Sequence, residues 1–180
     1  MTDLLPAEAF VLAGGQSRRF GSDKARYIID GQAMLKRVVD RLGNLFGPVT
    51  VIAKEAGMYA DLGCATVADH YPVQAPLAGL LTALELSGSD WTFVAACDLP
   101  ALDEGTVRLL WDHRRGAGVI PVAAGQLHPL AAFYHRSSRT HFQAAWDEQR
   151  LALKTIISHA DFTQLHIADD RALENMNRPG

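Results

Sequence analysis

The chain predicts an α/β fold, a mostly parallel twisted sheet with helices on both faces. Three observations carry this. Apolar, β-branched runs alternate with stretches of helical periodicity through the first two-thirds of the sequence. The run from Trp91 to Ala96 is almost continuously apolar, as a central strand covered on both faces requires. Glycine and proline punctuate the intervals, where right-handed crossovers begin and end.

Phe10, Val11 and Leu12 read as the end of a first buried strand. Leu35, Val38, Val39, Leu42 and Phe46 recur at helical spacing, which predicts an amphipathic helix over 32–46 stopped by Gly47-Pro48. Val49 to Ile52 has the composition of a buried strand, followed by a short helix near 55–61 and a strand over 65–68. Leu77 to Leu86 is a helix entered through Pro76, and Trp91 to Ala96 is the next strand. Asp103 caps a helix to about Arg115, with Leu109, Leu110 and Trp111 facing inward. Val119 to Val122 and Leu130 to Tyr134 are strands separated by a turn at Gly125-Gln126, an antiparallel excursion. Ser137 caps a helix to about Gln149, Leu151 to Ile157 is a second helical piece, and Phe162 to Ile167 is a late strand.

With 180 residues, 48% hydrophobic and 21% charged, the chain suits one soluble domain spanning 1–180. The formal charge of -3 argues against general nucleic-acid binding, and no apolar run is long enough to span a bilayer. Cys64 and Cys97 read as free thiols of a reduced, cytoplasmic protein, and the scattered histidines lack zinc-ligand spacing.

Residues 10–24, FVLAGGQSRRFGSDK, carry the chemistry. Gly14 and Gly15 remove side chains that would keep a ligand off the backbone, and successive amides on such a loop form an anion site. Arg18, Arg19 and Lys24 add the charge that a polyphosphate needs. Five residues separate Gly15 from Gly21 and Ala25 follows Lys24, so this is no Walker loop, and there is no GxGxxG. In a parallel sheet ligands bind beyond the carboxyl ends of the strands. Asp98, directly after the Trp91 strand and before Leu99-Pro100, should therefore meet the loop, where one carboxylate suits Mg²⁺. Cys97 reads as a small buried filler. Asp69 ends another strand. Gly79 in Pro76-Leu77-Ala78-Gly79-Leu80 either lets a nucleoside approach or packs helix on sheet, and His128-Pro129 is either a pocket rim or structural.

Together these residues resemble the molybdenum cofactor guanylyltransferase family (MobA type). The resemblance spans nearly the whole chain: LAGGQSRRFGSDK at 12–24, PLAGL at 76–80, CDLP at 97–100, HP at 128–129 and NMNRP at 175–179. LAGG favours the guanylyl branch over the cytidylyl one, which usually reads LAAG. The resemblance implies a Rossmann-like fold and Mg²⁺-dependent transfer of GMP from GTP to the terminal phosphate of molybdenum-molybdopterin. It places the backbone of Leu12, Ala13 and Gly14 on the nucleotide, Lys24 on its phosphates, Asp69 on the nucleoside, and Asp98 on metal and nucleotide. Arg19 matches the loop arginine, and Asn175 and Asn177 match asparagines on the pterin side. Transient contact with proteins that supply or receive the cofactor is also implied. Ile52, Ala75 and Arg178 depart from the family pattern. A transferase using CTP or another phosphate acceptor, and a non-catalytic nucleotide-binding module, are the alternatives.

Overall fold

The computed structural model describes residues 3–14, 23–158 and 160–176. Strand β1 (Glu8–Leu12) leads toward the glycine-rich loop, of which residues 15–22 lie outside the described residues. A 3-10 turn, Lys24–Arg26, follows, with the Asp23 carboxylate accepting from Ala25 N at 3.0 Å. Then β2 (Ile28–Ile29) and β3 (Gln32–Ala33) pair antiparallel through Asp30-Gly31, whose φ values are 49° and 79°. Both are left-handed, as a tight hairpin turn demands. Helix α1 (Met34–Phe46) thus starts two residues later than the periodicity predicts, because Gln32 and Ala33 are claimed by the hairpin.

Next come β4 (Val49–Ala53), β5 (Thr66–Ala68), α2 (Pro76–Leu86) and β6 (Trp91–Ala96). Between β4 and β5 the expected helix is only a 3-10 turn at Ala60–Leu62. Helix α3 (Glu104–Asp112) is capped by the Asp103 carboxylate, which accepts from Thr106 N at 2.7 Å. Val107 and Leu110 face inward and Trp111 packs on Phe133, whereas Leu109 is exposed, contrary to expectation; it falls off the i, i+3, i+4 stripe. Strands β7 (Gly118–Ala123), β8 (Gln126–Leu127) and β9 (Ala131–His135) follow. Residues 136–138 form a 3-10 turn before α4 (Arg139–Asp147), so Ser138 rather than Ser137 borders that helix. Helix α5 (Leu153–Ser158) and β10 (Phe162–His166) complete the order.

The main sheet runs β10-β7-β9-β6-β1-β4-β5, with β8 paired to β7. Pairs β1–β4, β1–β6, β4–β5 and β7–β10 are parallel; β6–β9, β7–β9 and β7–β8 are antiparallel. The sheet is α/β and mostly parallel, as predicted, with β9 reversed. That reversal brings the entrance of β9, rather than its exit, to the carboxyl edge of β6.

Alternation along the strands builds two cores. Ala9, Val11, Val51, Phe93, Ala95 and Phe133 face α1 and α3, meeting Leu35, Val38, Leu42 and Leu110. Phe10, Leu12, Ile52, Val94 and Tyr134 face the opposite layer, meeting Leu77, Leu80 and Leu81 of α2 and Phe142 of α4. Because α2 lies between the sheet and α4, it is buried from Leu77 through Leu84 and has no polar stripe there. Among the described residues no helix is long and apolar enough to cross a membrane.

Candidate active site

The carboxyl ends of the strands are laced together by backbone hydrogen bonds. Ala13 N donates to Ile52 O at 2.9 Å, Cys97 N to Leu12 O at 3.1 Å, Asp69 N to Ala53 O at 2.8 Å and Ala96 N to Leu130 O at 2.9 Å. Residues 12–14, 69, 97–98 and 128–130 therefore occupy one rim, and a cavity of about 1280 Å³ opens along it. Its volume exceeds the roughly 300–1,000 Å³ of an ordinary small-molecule pocket, so it has room for two substrates.

Lys24 and Asp98 meet on this rim. Lys24 Nζ stands 2.7 Å from Asp98 Oδ2, with side chains only 13% and 18% exposed. Asn175 Nδ2 donates to Asp98 Oδ1 at 2.8 Å and Met176 N donates to Asp98 O at 2.9 Å, so the C-terminal segment also converges there. Each carboxylate oxygen has two lone pairs and keeps one after these bonds. Among the described residues no group of three or more His, Cys, Asp and Glu could hold a metal. A lone carboxylate still fits magnesium, which takes few protein ligands and fills its octahedron with phosphate oxygens and water.

The far foot of the loop is anchored from outside it. The buried Tyr59 hydroxyl lies 3.3 Å from Asp23 Oδ1 and 3.5 Å from Ala13 O, spanning the two ends of the loop. Burial, then the Asp23 charge, raises the phenol above its usual value, so it remains a donor. Arg26 lies over the Tyr59 ring at 5.3 Å and bonds Asp61 and Met58 O.

Asp69 lines the cavity at the end of β5. Its Oδ1 accepts from Tyr71 N at 3.1 Å and from Thr82 Oγ1 at 2.6 Å. Gly79 borders the cavity too, and a Cβ there would stand 2.9 Å from Leu12 Cδ1, so a side chain would press on the end of Leu12 where α2 packs on β1. Among the described residues a Cβ at Gly14 would meet nothing within 4 Å, where the residue borders the cavity. Ile52, buried and lining the cavity, offers an apolar surface. Ala75 has extended backbone (φ -134°, ψ 148°) that needs no glycine.

Burial pushes the Cys97 thiol up to about 12, aided by the Asp98 charge, so it is no nucleophile at neutral pH. His128 lines the cavity, and burial, with the Lys154 charge, holds it below the usual histidine value. Gly15, Arg19 and Asn177, expected at the site, lie outside the described residues, as does Arg178. The sequence reading missed Lys54, Gln126 and Lys154, which line the same cavity. Lys54 sits just past β4, and the rule that ligands gather at carboxyl ends could have flagged it. Nothing in the sequence marks Lys154.

Comparison with known proteins places the chain in a family. Residues 9–164 match the family described as MobA-like NTP transferase domain. A probable molybdenum cofactor guanylyltransferase of Chloroflexus aggregans is 30% identical over 184 residues, covering 94% of this chain and 88% of that protein. One from Aquifex aeolicus is 27% identical over 170 residues, covering 93% and 84%. A crystal structure from Aquifex aeolicus superposes with a TM-score of 0.82 at 26% identity, covering 94% of this chain and 92% of that one. Molybdopterin-guanine dinucleotide biosynthesis protein A of Archaeoglobus fulgidus shares the fold, with a TM-score of 0.80 at 18% identity, covering 96% and 93%. The chain belongs to the MobA-like NTP transferase domain family and is an α/β nucleotidyltransferase.

Proposed function

We propose that the protein transfers GMP from GTP to the terminal phosphate of molybdenum-molybdopterin, forming molybdopterin guanine dinucleotide and releasing pyrophosphate. The observation that carries this reading is the Lys24–Asp98 contact at the carboxyl edge, in a cavity shared with Asp69 and roomy enough for two substrates. The names of the relatives supply the substrates.

A terminal phosphate is ionised at neutral pH, so its oxygen needs no strong base to attack the α-phosphorus. That P–O bond forms as the bond to the β-phosphate bridging oxygen breaks, and pyrophosphate leaves with the electron pair. The obstacle is repulsion between anions, and fixed positive charge is the remedy. Lys24, turning from Asp98 to the triphosphate, neutralises the departing charge, a role that Arg19 and the loop amides at Gly15 share. The Ala13 amide is spent on Ile52 O and is not among the donors offered to the phosphates. Asp69 and the surface of Ile52 and Gly79 hold the nucleoside, with the Leu12–Gly14 backbone alongside. Asp98 would hold Mg²⁺, which supplies charge neutralisation on the phosphate oxygens when bound. Asn175, bonded to Asp98, and Asn177 border the acceptor.

The test is pyrophosphate release with Mg-GTP or Mg-CTP, each with and without molybdenum-molybdopterin. Release that requires GTP and the pterin together is expected. Equal turnover with CTP would overturn the nucleotide assignment, and release independent of the pterin would overturn the acceptor. Tight GTP binding with no release under any condition would indicate a carrier.

A further inference from the structure

Helix α2 grips the segment that carries Asp69 at two positions. Thr82, fully buried and outside the cavity lining, donates its hydroxyl proton to Asp69 Oδ1 at 2.6 Å and accepts from His70 N at 3.1 Å. A hydroxyl has one proton and two lone pairs, so the pair of bonds defines its orientation. The Tyr71 amide lands on the same carboxylate oxygen, 3.1 Å away. One turn further along α2, Glu85 accepts from the Tyr71 hydroxyl at 2.7 Å and lies 2.9 Å from His70 Nδ1. Tyr71 packs edge-on against Trp146 at 4.6 Å, fixing the segment from α4 as well.

Both bonds to Asp69 fall on Oδ1, and Asp69 lines the cavity that Thr82 does not reach. A carboxylate at the end of a short strand has a soft terminal torsion. The buried hydroxyl removes that freedom before any ligand arrives. We propose that Thr82 is a positioning residue for nucleoside binding: it locks the Asp69 carboxylate so that Oδ2 meets a donor group of the nucleoside, a ribose hydroxyl or a base N–H. The proposal rests on the reading of Asp69 as a nucleoside contact. A preset rotamer acts on binding of the nucleotide and not on the chemical step, so its effect belongs in the GTP affinity.

The test compares Thr82→Val, Thr82→Ser and Asp69→Ala by calorimetric Mg-GTP binding and by steady-state pyrophosphate release. Thr82→Ala supplies the same contrast if valine is not accommodated. Loss of the hydroxyl should raise Kd and KM for GTP about tenfold, with kcat and the acceptor KM unchanged, as expected for one hydrogen bond to a charged group. Thr82→Ser should stay within about threefold of the parent protein. Adding Thr82→Val to Asp69→Ala should cost less than about twofold more, because the partner is gone. Normal GTP affinity in Thr82→Val and Thr82→Ala while Asp69→Ala is impaired would overturn the inference alone. Equal impairment of valine and serine variants would overturn it in favour of packing. Normal binding by Asp69→Ala would instead remove the nucleoside role of Asp69, and this inference with it.

Discussion

Replacing Lys24 with alanine perturbs two things at once, the join between the loop and β6 and the charge offered to a triphosphate. At 2.7 Å the Lys24–Asp98 attraction is gross, about 6 kcal/mol at an effective dielectric of 20. Most of that is offset by desolvation, since the two side chains are only 13% and 18% exposed. Removing one partner of a fully buried pair costs about 3–5 kcal/mol, and of an exposed pair less than about 1. This pair lies between, so Lys24→Ala should cost about 1–3 kcal/mol. For a chain of this length that is a fall in Tm of about 2–12 °C. The double variant Lys24→Ala/Asp98→Ala should be more stable than the summed singles by about 1–2 kcal/mol, because neither leaves an orphaned charge. Mg-GTP affinity of Lys24→Ala should fall about 10- to 100-fold, the worth of a charge-assisted phosphate contact. Urea titrations of the four proteins and calorimetric GTP binding provide the readouts. Additivity within about 0.5 kcal/mol would refute the ion pair as a tie between loop and strand. Unchanged affinity would remove Lys24 from the phosphate site.

Tyr59→Phe removes the hydroxyl between Ala13 and Asp23 while keeping the ring under Arg26. Both contacts are long, so we expect about 1 kcal/mol less stability and a three- to tenfold lower kcat/KM for GTP, measured by melting and pyrophosphate release; an unchanged kcat/KM would deny that Tyr59 braces the loop. Glu85 contributes to acid sensitivity: burial pushes its carboxyl up, but hydrogen bonds from His70 and Tyr71 and the Arg139 charge outweigh this and leave it below the ordinary value of 4.5. Between the lowered folded value and 4.5 the unfolded chain binds more protons, so this stability is present above that window and is lost as pH falls through it. Glu85→Gln should therefore lose less Tm than the parent from about pH 5 downward, and an identical pH profile would contradict the assignment.

Much of the site was legible because its parts are local. Asp98 stands next to the apolar run of β6, and Lys24 ends the basic loop, so the rule for carboxyl ends predicted their meeting without any knowledge of side-chain paths. Gly79 was ambiguous in sequence for a physical reason: packing and ligand approach both favour a missing Cβ, and only the fold shows that a Cβ there would lie 2.9 Å from the end of Leu12. The Asp30-Gly31 hairpin was readable, since such a pair is a strong turn signal, but the helical spacing that begins at Leu35 drew the helix boundary too early.

Periodicity, turn residues and the loop by themselves determined the α/β class and most of the element order, and pointed toward an anionic ligand. These depend on neighbours a few positions apart, where backbone geometry dictates which face each side chain takes. Tertiary structure alone decided the place of β9 between β6 and β7, the Tyr59 brace and the grip of Thr82 and Glu85 on Asp69 to Tyr71. Each joins residues distant in sequence through single hydrogen bonds or strand pairings, and no local pattern of apolar and polar residues encodes which partner a buried hydroxyl will find.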